Sequence, residues 1–191
     1  SSEPAAVSGE PARAIVLSID HSASMRRQGL WAQVRTKAET VLGQLGPGDR
    51  ADVMVFGQAP RALLTSRDWE TVAPAARVTA ALGRLGAVAP THEGTNLGSA
   101  LVAALDRLSE SSAGRGSARR EIVVISDFQA GVRMDALQTQ EWPRDVAVRI
   151  EPVLPTATTN AGLQLLSAGD ASGRGDAGAL LSAGARYLPS L

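Results

Sequence analysis

The chain has 191 residues with 19 basic and 19 acidic side chains, so its formal net charge is zero. That balance argues against a general nucleic-acid binder, which needs a basic face to displace counterions, and gives no attraction to an anionic membrane surface. With 44% hydrophobic and 20% charged residues, no cysteine and 2 histidines, the chain can bury a core. Disulfides, thiolate catalysis and cysteine-held zinc are excluded, and a multi-histidine metal site is disfavoured.

Residues 1–13 are polar and carry Pro4 and Pro11, so they read as a linker. They have no apolar stretch of the kind a signal peptide needs, and the chain has no run of about 18 apolar residues to span a membrane. Residues 14–19 (AIVLSI) form a continuous apolar, β-branched run ending in Asp20, the pattern of a strand buried on both faces. Leu30, Trp31, Val34, Ala38, Val41, Leu42 and Leu45 then recur at helical spacing, and residues 46–49 (GPGD) stop that helix. A second strand is predicted over 51–56, a third over 61–65 at an edge, and a helix capped by Asp68 and interrupted near Pro74. Helical spacing returns at 78–85 and at 95–108, with a loop at 89–94 between them. After a Ser/Gly/Arg loop at 109–118, residues 121–127 give the strongest strand, also ending in an aspartate. A helix over 134–141 and a strand over 145–153 complete this part. Alternation of apolar strands with helices predicts a doubly wound, mostly parallel sheet with helices on both faces. The Thr-, Gly-, Ala- and Ser-rich residues 156–191 read as an extension, with 163–166 and 180–188 as a candidate strand and helix or the start of a neighbouring domain.

In such a sheet, ligands gather beyond the carboxyl ends of the strands, where the strand order reverses. Three polar tracts fall there: Asp20-His21-Ser22-Ala23-Ser24, Glu93-Gly94-Thr95-Asn96 and Ser126-Asp127-Phe128-Gln129. Ser22, Ser24 and Thr95 offer neutral hydroxyl oxygens, and Asp20 and Asp127 offer negative charge. Together they suit a hard cation such as magnesium, which takes about six oxygens at roughly 2.0–2.1 Å. Hydroxyls compete poorly with water, so they hold such an ion only where carboxylates supply the field. An ion held this way would accept a carboxylate from another molecule.

Asp20-x-Ser22-x-Ser24, the later Thr95 and the strand-ending Asp127 resemble the von Willebrand factor A domain and its metal-ion-dependent adhesion site. The resemblance covers about residues 14–155. It implies a Rossmann-like sheet with one short antiparallel edge strand, with Ser22, Ser24 and Thr95 as direct ligands. Asp20 and Asp127 are then the acidic support, mostly through water. The implied ion is Mg2+, with Mn2+ or Ca2+ as alternatives. The implied role is non-enzymatic: binding a protein partner through its Asp or Glu, with Arg26, Arg27, Gln28, Glu93, Phe128 and Gln129 on the rim. A narrower resemblance, on residues 126–129 and Trp31, is to bacterial membrane-anchored proteins of the aerotolerance (Bat) type. It implies an extracytoplasmic domain on the periplasmic face of an inner membrane. His21 and Ala23 fill the x positions here, and Glu93 stands where a second glycine is frequent.

Two other functions compete. A hydrolase is imaginable with Ser22 as nucleophile beside His21 or His92 and Asp127, or with Asp20 as nucleophile. The chain has no Gly-x-Ser-x-Gly elbow, and the second aspartate of a phosphatase pair is replaced by Ser22. A nucleotide-binding sheet needs glycines after its first strand, and residues 20–25 contain none. Both histidines read as bystanders, Met25 and Trp31 as packing residues, and Trp69 and Trp142 as core or half-buried. Arg174-Gly175-Asp176, an integrin-recognition tripeptide by sequence, reads as a chance match in a glycine-rich tail.

Overall fold

A computed structural model describes residues 11–112, 118–128 and 141–155. Strand β1 (Arg13–Asp20) is apolar on both sides and buried along nearly its whole length. Strand alternation sends Ile15, Leu17 and Ile19 into one core layer and Ala14 and Val16 into the other. β1 pairs in parallel with β2 (Arg50–Phe56) on one side and with β4 (Arg119–Ser126) on the other. β5 (Val146–Pro152) continues the parallel sheet beyond β4, and β3 (Pro60–Leu64) closes the other edge antiparallel to β2. The order is β3-β2-β1-β4-β5.

Helix α1 (Leu30–Gly43) buries Leu30, Val34, Ala38, Val41 and Leu42 against one face, in the layer that also takes α3 (Arg77–Gly86). Full burial of such side chains contributes on the order of 2 kcal/mol each before chain entropy is counted. Gly29, at φ 82°, lets the chain turn into α1 through a left-handed conformation that costs a side-chain-bearing residue energy. On the other face α4 (Leu97–Ser112) buries Leu97, Ala100, Leu101, Ala104, Leu105 and Leu108.

Several sequence expectations are adjusted. The helix expected from Asp68 with an interruption near Pro74 is two helices, because Pro74 starts a short 3-10 turn (Pro74–Ala76) between α2 (Ser66–Thr71) and α3. Thr65, not Asp68, is the N-cap of α2: the Thr65 hydroxyl accepts from Asp68 N–H, and Asp68 accepts in return from Thr65 N–H. Residues 109–112 belong to α4 and not to a loop. Trp69 is core, 2% exposed, with its indole N–H on Asp49 carbonyl oxygen at 3.1 Å. Met25 is fully buried, while Trp31 and Trp142 pack half-buried against the two layers. Gln129, most of the helix expected over 134–141, the elements at 163–166 and 180–188, and Arg174-Gly175-Asp176 lie outside the described residues.

The order places β1 centrally, with β2 to one side and β4 to the other. The carboxyl ends of β1 and β4 therefore flank the switch point of the sheet, the place where loops diverge and leave a crevice.

Candidate metal centre

Three loops meet at that crevice and are tied together by backbone hydrogen bonds. His21 N–H donates to Phe56 carbonyl oxygen at 2.9 Å, joining the ends of β1 and β2. Ala23 N–H donates to Glu93 carbonyl oxygen at 2.8 Å, Thr91 N–H to that of His21 at 2.7 Å and Asn96 N–H to that of Gly57 at 2.8 Å. A Cβ at Gly57 would stand 3.4 Å from Glu93 Oε2 and 3.4 Å from Gly94 carbonyl oxygen, ordinary van der Waals contact, so the loops lie against each other there. Ser22 then leads into a 3-10 turn (Ala23–Arg26), which holds Ser24 beside it. Asn96 Oδ1 accepts from Ser99 N–H at 3.1 Å and so caps α4. Because Asn96 takes the capping role, the Thr95 hydroxyl can point elsewhere.

The hydroxyls of Ser22, Ser24 and Thr95 and the carboxylates of Asp20 and Asp127 form one connected cluster. Asp20 is 1% exposed and accepts from donors on three elements. Its Oδ1 takes Ser22 N–H at 2.8 Å; its Oδ2 takes the Ser126 hydroxyl at 2.6 Å and the Thr95 hydroxyl at 3.5 Å. The 2.6 Å contact is a charge-assisted bond. The Ser24 hydroxyl donates to Asp127 Oδ1 at 3.1 Å, and Ser22 Oγ lies 3.3 Å from Ser24 Oγ. Since a hydroxyl has one proton and Ser24 gives it to Asp127, Ser22 is the donor in that second contact. Arg27 Nη2 donates to Asp127 Oδ2 at 2.6 Å.

Three hydroxyls and two carboxylates fit a hard, oxygen-seeking cation and offer nothing to a soft one. No group of three His, Cys, Asp or Glu residues among the described residues is placed to hold an ion. Any ion taken up here would therefore depend on the hydroxyls.

The rim residues divide. Arg27 reaches into the cluster, whereas Arg26 turns outward and pairs with His92, its Nη1 lying 3.0 Å from Nδ1. Gln28 is exposed. Glu93 is exposed too, with its carboxylate oxygen over Gly57 and near the His21 ring. Phe128 is half-buried and adopts φ 46°, the left-handed region that a bulky residue enters only under constraint. Its N–H donates to Ser126 Oγ at 3.1 Å, which fixes the turn immediately after Asp127. Among the described residues the Ser22 hydroxyl is bonded to Ser24 and not to either histidine.

Ser126 is the residue that sequence reasoning undervalued. Its hydroxyl donates to Asp20 and accepts from Phe128, so it holds the acidic support and the turn beside it. The signal was present: a hydroxyl ending an apolar strand, on the same side of the sheet as Asp20 by the alternation of side chains.

A second buried carboxylate lies outside the predicted cluster, towards the amino-terminal end of β2. Asp52 is 3% exposed, accepts from Ser66 N–H at 3.0 Å and has Arg107 Nη1 at 3.7 Å. Burial pushes its carboxyl above the ordinary range, partly offset by the Ser66 bond and the Arg107 charge. It lines a cleft of about 460 Å³ with Arg50, Glu70 and Glu110.

The family model of the von Willebrand factor type A domain matches residues 15–129, more than half of the chain. The chain belongs to that family. Domains of this kind are commonly protein-interaction modules. Solved structures with the type A fold include the conserved hypothetical protein BatB from Bacteroides thetaiotaomicron, at 17% identity and TM-score 0.52. The match covers 73% of this chain and 65% of that one. An aerotolerance-related membrane protein from Bacteroides fragilis aligns at 18% identity and TM-score 0.56, over 87% of this chain and 78% of that one. A von Willebrand factor type A protein from Catenulispora acidiphila aligns at 16% identity and TM-score 0.54, over 73% of this chain and 33% of that one. At such identities the likeness concerns the fold alone. No curated protein matches the chain.

Proposed function

We propose that this type A domain is a non-enzymatic, divalent-cation-dependent protein-interaction module. The observation that carries the reading is the Asp20 carboxylate, buried at 1% exposure and gripped by donors from the β1 loop, the loop before α4 and the end of β4. A carboxylate held this way is restrained in rotation, with its charge beside the Thr95 hydroxyl and the Ser22 amide. Those three hydroxyls would hold the ion, Mg2+ first and Mn2+ or Ca2+ as alternatives, while Asp20 and Asp127 would supply its field. A bound ion supplies a Lewis-acidic position open to an Asp or Glu of a partner protein. The chain contributes rigidity at Asp20, a constrained turn at Phe128, and a rim of Arg26, Gln28, Glu93 and Phe128 for specificity.

No helix among the described residues is long and apolar enough to cross a membrane. Likeness of fold to an aerotolerance-related membrane protein supports a role as the extracytoplasmic part of a membrane-anchored bacterial protein. Protease accessibility of the full-length protein in spheroplasts tests this placement.

Titration of the domain with MnCl2, followed by the loss of the free-ion electron paramagnetic resonance signal, tests the ion. Uptake at one site is expected, reversed by EDTA and weakened at least about a hundredfold by Asp20→Ala or Thr95→Ala. Absence of uptake of Mg2+, Mn2+ and Ca2+ by the wild-type domain would overturn the reading.

A further inference from the structure

The two carboxylates of the cluster are compensated differently. Asp20 accepts from neutral donors: an amide N–H and two hydroxyls. Asp127 accepts a hydroxyl on one oxygen and the Arg27 guanidinium on the other. Its side chain is 2% exposed, whereas that of Arg27 is 43% exposed. Arg27 is also tied to Ser24, its Nε donating to the Ser24 carbonyl oxygen at 3.1 Å. Ser24, Asp127 and Arg27 thus form a closed ring: hydroxyl to carboxylate, carboxylate to guanidinium, guanidinium to carbonyl.

We infer that Arg27 is an internal counter-ion that competes with a metal ion for Asp127, and that uptake of the ion requires its guanidinium to swing away. This rests on the metal-dependent reading above and adds to it a residue that sets the affinity. Electrostatics supplies the reason. With Arg27 in place, one of the two formal negative charges beside the hydroxyls is already matched, and an arriving dication meets a fixed positive charge on the carboxylate it needs. Movement clears the guanidinium from Asp127: the side chain is long and its outer part lies in water, whereas Asp127 is buried and held by Ser24. The ion and the guanidinium therefore exclude each other at Asp127, and each weakens the other's hold on it. Arg26 is the internal control. It is the adjacent residue with the same charge, but it turns to His92 and not to the cluster.

The experiment measures Mn2+ affinity for the wild type, Arg27→Gln, Arg27→Lys and Arg26→Gln, with thermal unfolding of each variant as a check on the fold. Arg27→Gln is expected to bind about tenfold more tightly, at the low end of couplings between two sites. Arg27→Lys keeps the positive charge and is expected to stay within a factor of about three of the wild type. Arg26→Gln is expected to leave affinity unchanged. Wild-type binding with an unchanged or weaker Arg27→Gln overturns the competition and leaves the metal site standing. An equal gain in Arg26→Gln also overturns it, because general repulsion by surface charge would then suffice. No Mn2+ uptake by either the wild type or Arg27→Gln removes the metal site and the competition together.

Discussion

The sheet buries carboxylates at two places and treats them in opposite ways. At the carboxyl ends of β1 and β4, Asp20 has three donors within hydrogen-bonding reach, all uncharged and all on different segments. Towards the other end of β2, Asp52 has one amide donor and a guanidinium at 3.7 Å, and burial raises its pKa. The first arrangement fixes a negative charge among oxygens while matching it with no cation. The second sets a carboxyl beside one opposite charge, Arg107, and one like charge, Glu110, where it joins β2 to α2 and α4. On the proposed reading Asp20, held by neutral groups alone, keeps its field for a ligand, whereas Asp52, held by an amide and facing Arg107, serves as a joint.

The largest effect expected from breaking this contrast is at Ser126. Ser126→Ala removes the 2.6 Å bond to Asp20 while leaving every proposed ligand in place. It is expected to weaken Mn2+ binding by roughly 10–100-fold, the usual effect of losing a group that orients a ligand. Unchanged affinity would mean that Asp20 needs no such support. At the other end, Arg107→Ala removes the cation nearest Asp52 and is expected to cost about 1–2 kcal/mol in urea unfolding, with Mn2+ binding untouched. A change in ion affinity there would show that the two clusters are coupled.

The smallest effect is at Asp52 itself and depends on pH. Its folded pKa lies above the ordinary 3.8 because of burial, so the native chain holds that proton more tightly than the unfolded chain does. Between pH 3.8 and the raised folded value, wild-type stability falls as pH rises, and the loss is complete above that window. Asp52→Asn keeps an acceptor for Ser66 N–H and abolishes the slope. The variant should gain stability relative to the wild type at pH 7 and lose that advantage below pH 3.8, measured by urea unfolding at both. Parallel pH profiles would show that burial does not govern this group.

Much of this was legible beforehand. Strand and helix periodicity identified β1, β2, β4, α1 and α4 because their apolar residues repeat with the period of the element that buries them. Asp20, Ser22, Ser24 and Asp127 stand at or just beyond the ends of β1 and β4, which the sheet order brings together, and Thr95 comes in on the loop before α4. What escaped was geometry set between distant segments. Thr65 and Asp68 cap α2 as a pair, which sequence alone reduced to Asp68. Asn96, not its neighbour Thr95, caps α4, which leaves the Thr95 hydroxyl for Asp20. Arg27 stood among interchangeable rim residues, and only the folded loop distinguishes it from Arg26. Such choices depend on side-chain direction, which spacing does not encode.

Asp20 and Ser126 close adjoining central strands, each flanked by partners on both sides. The amides beneath them belong to the part of the molecule that opens only when the whole sheet comes apart, so they should be among the slowest to exchange with deuterium. Arg27, by contrast, sits on a short turn with its head in solvent. If Arg27 gates the crevice as proposed, what enters or leaves waits only on a side-chain rotation, while the platform beneath keeps its shape.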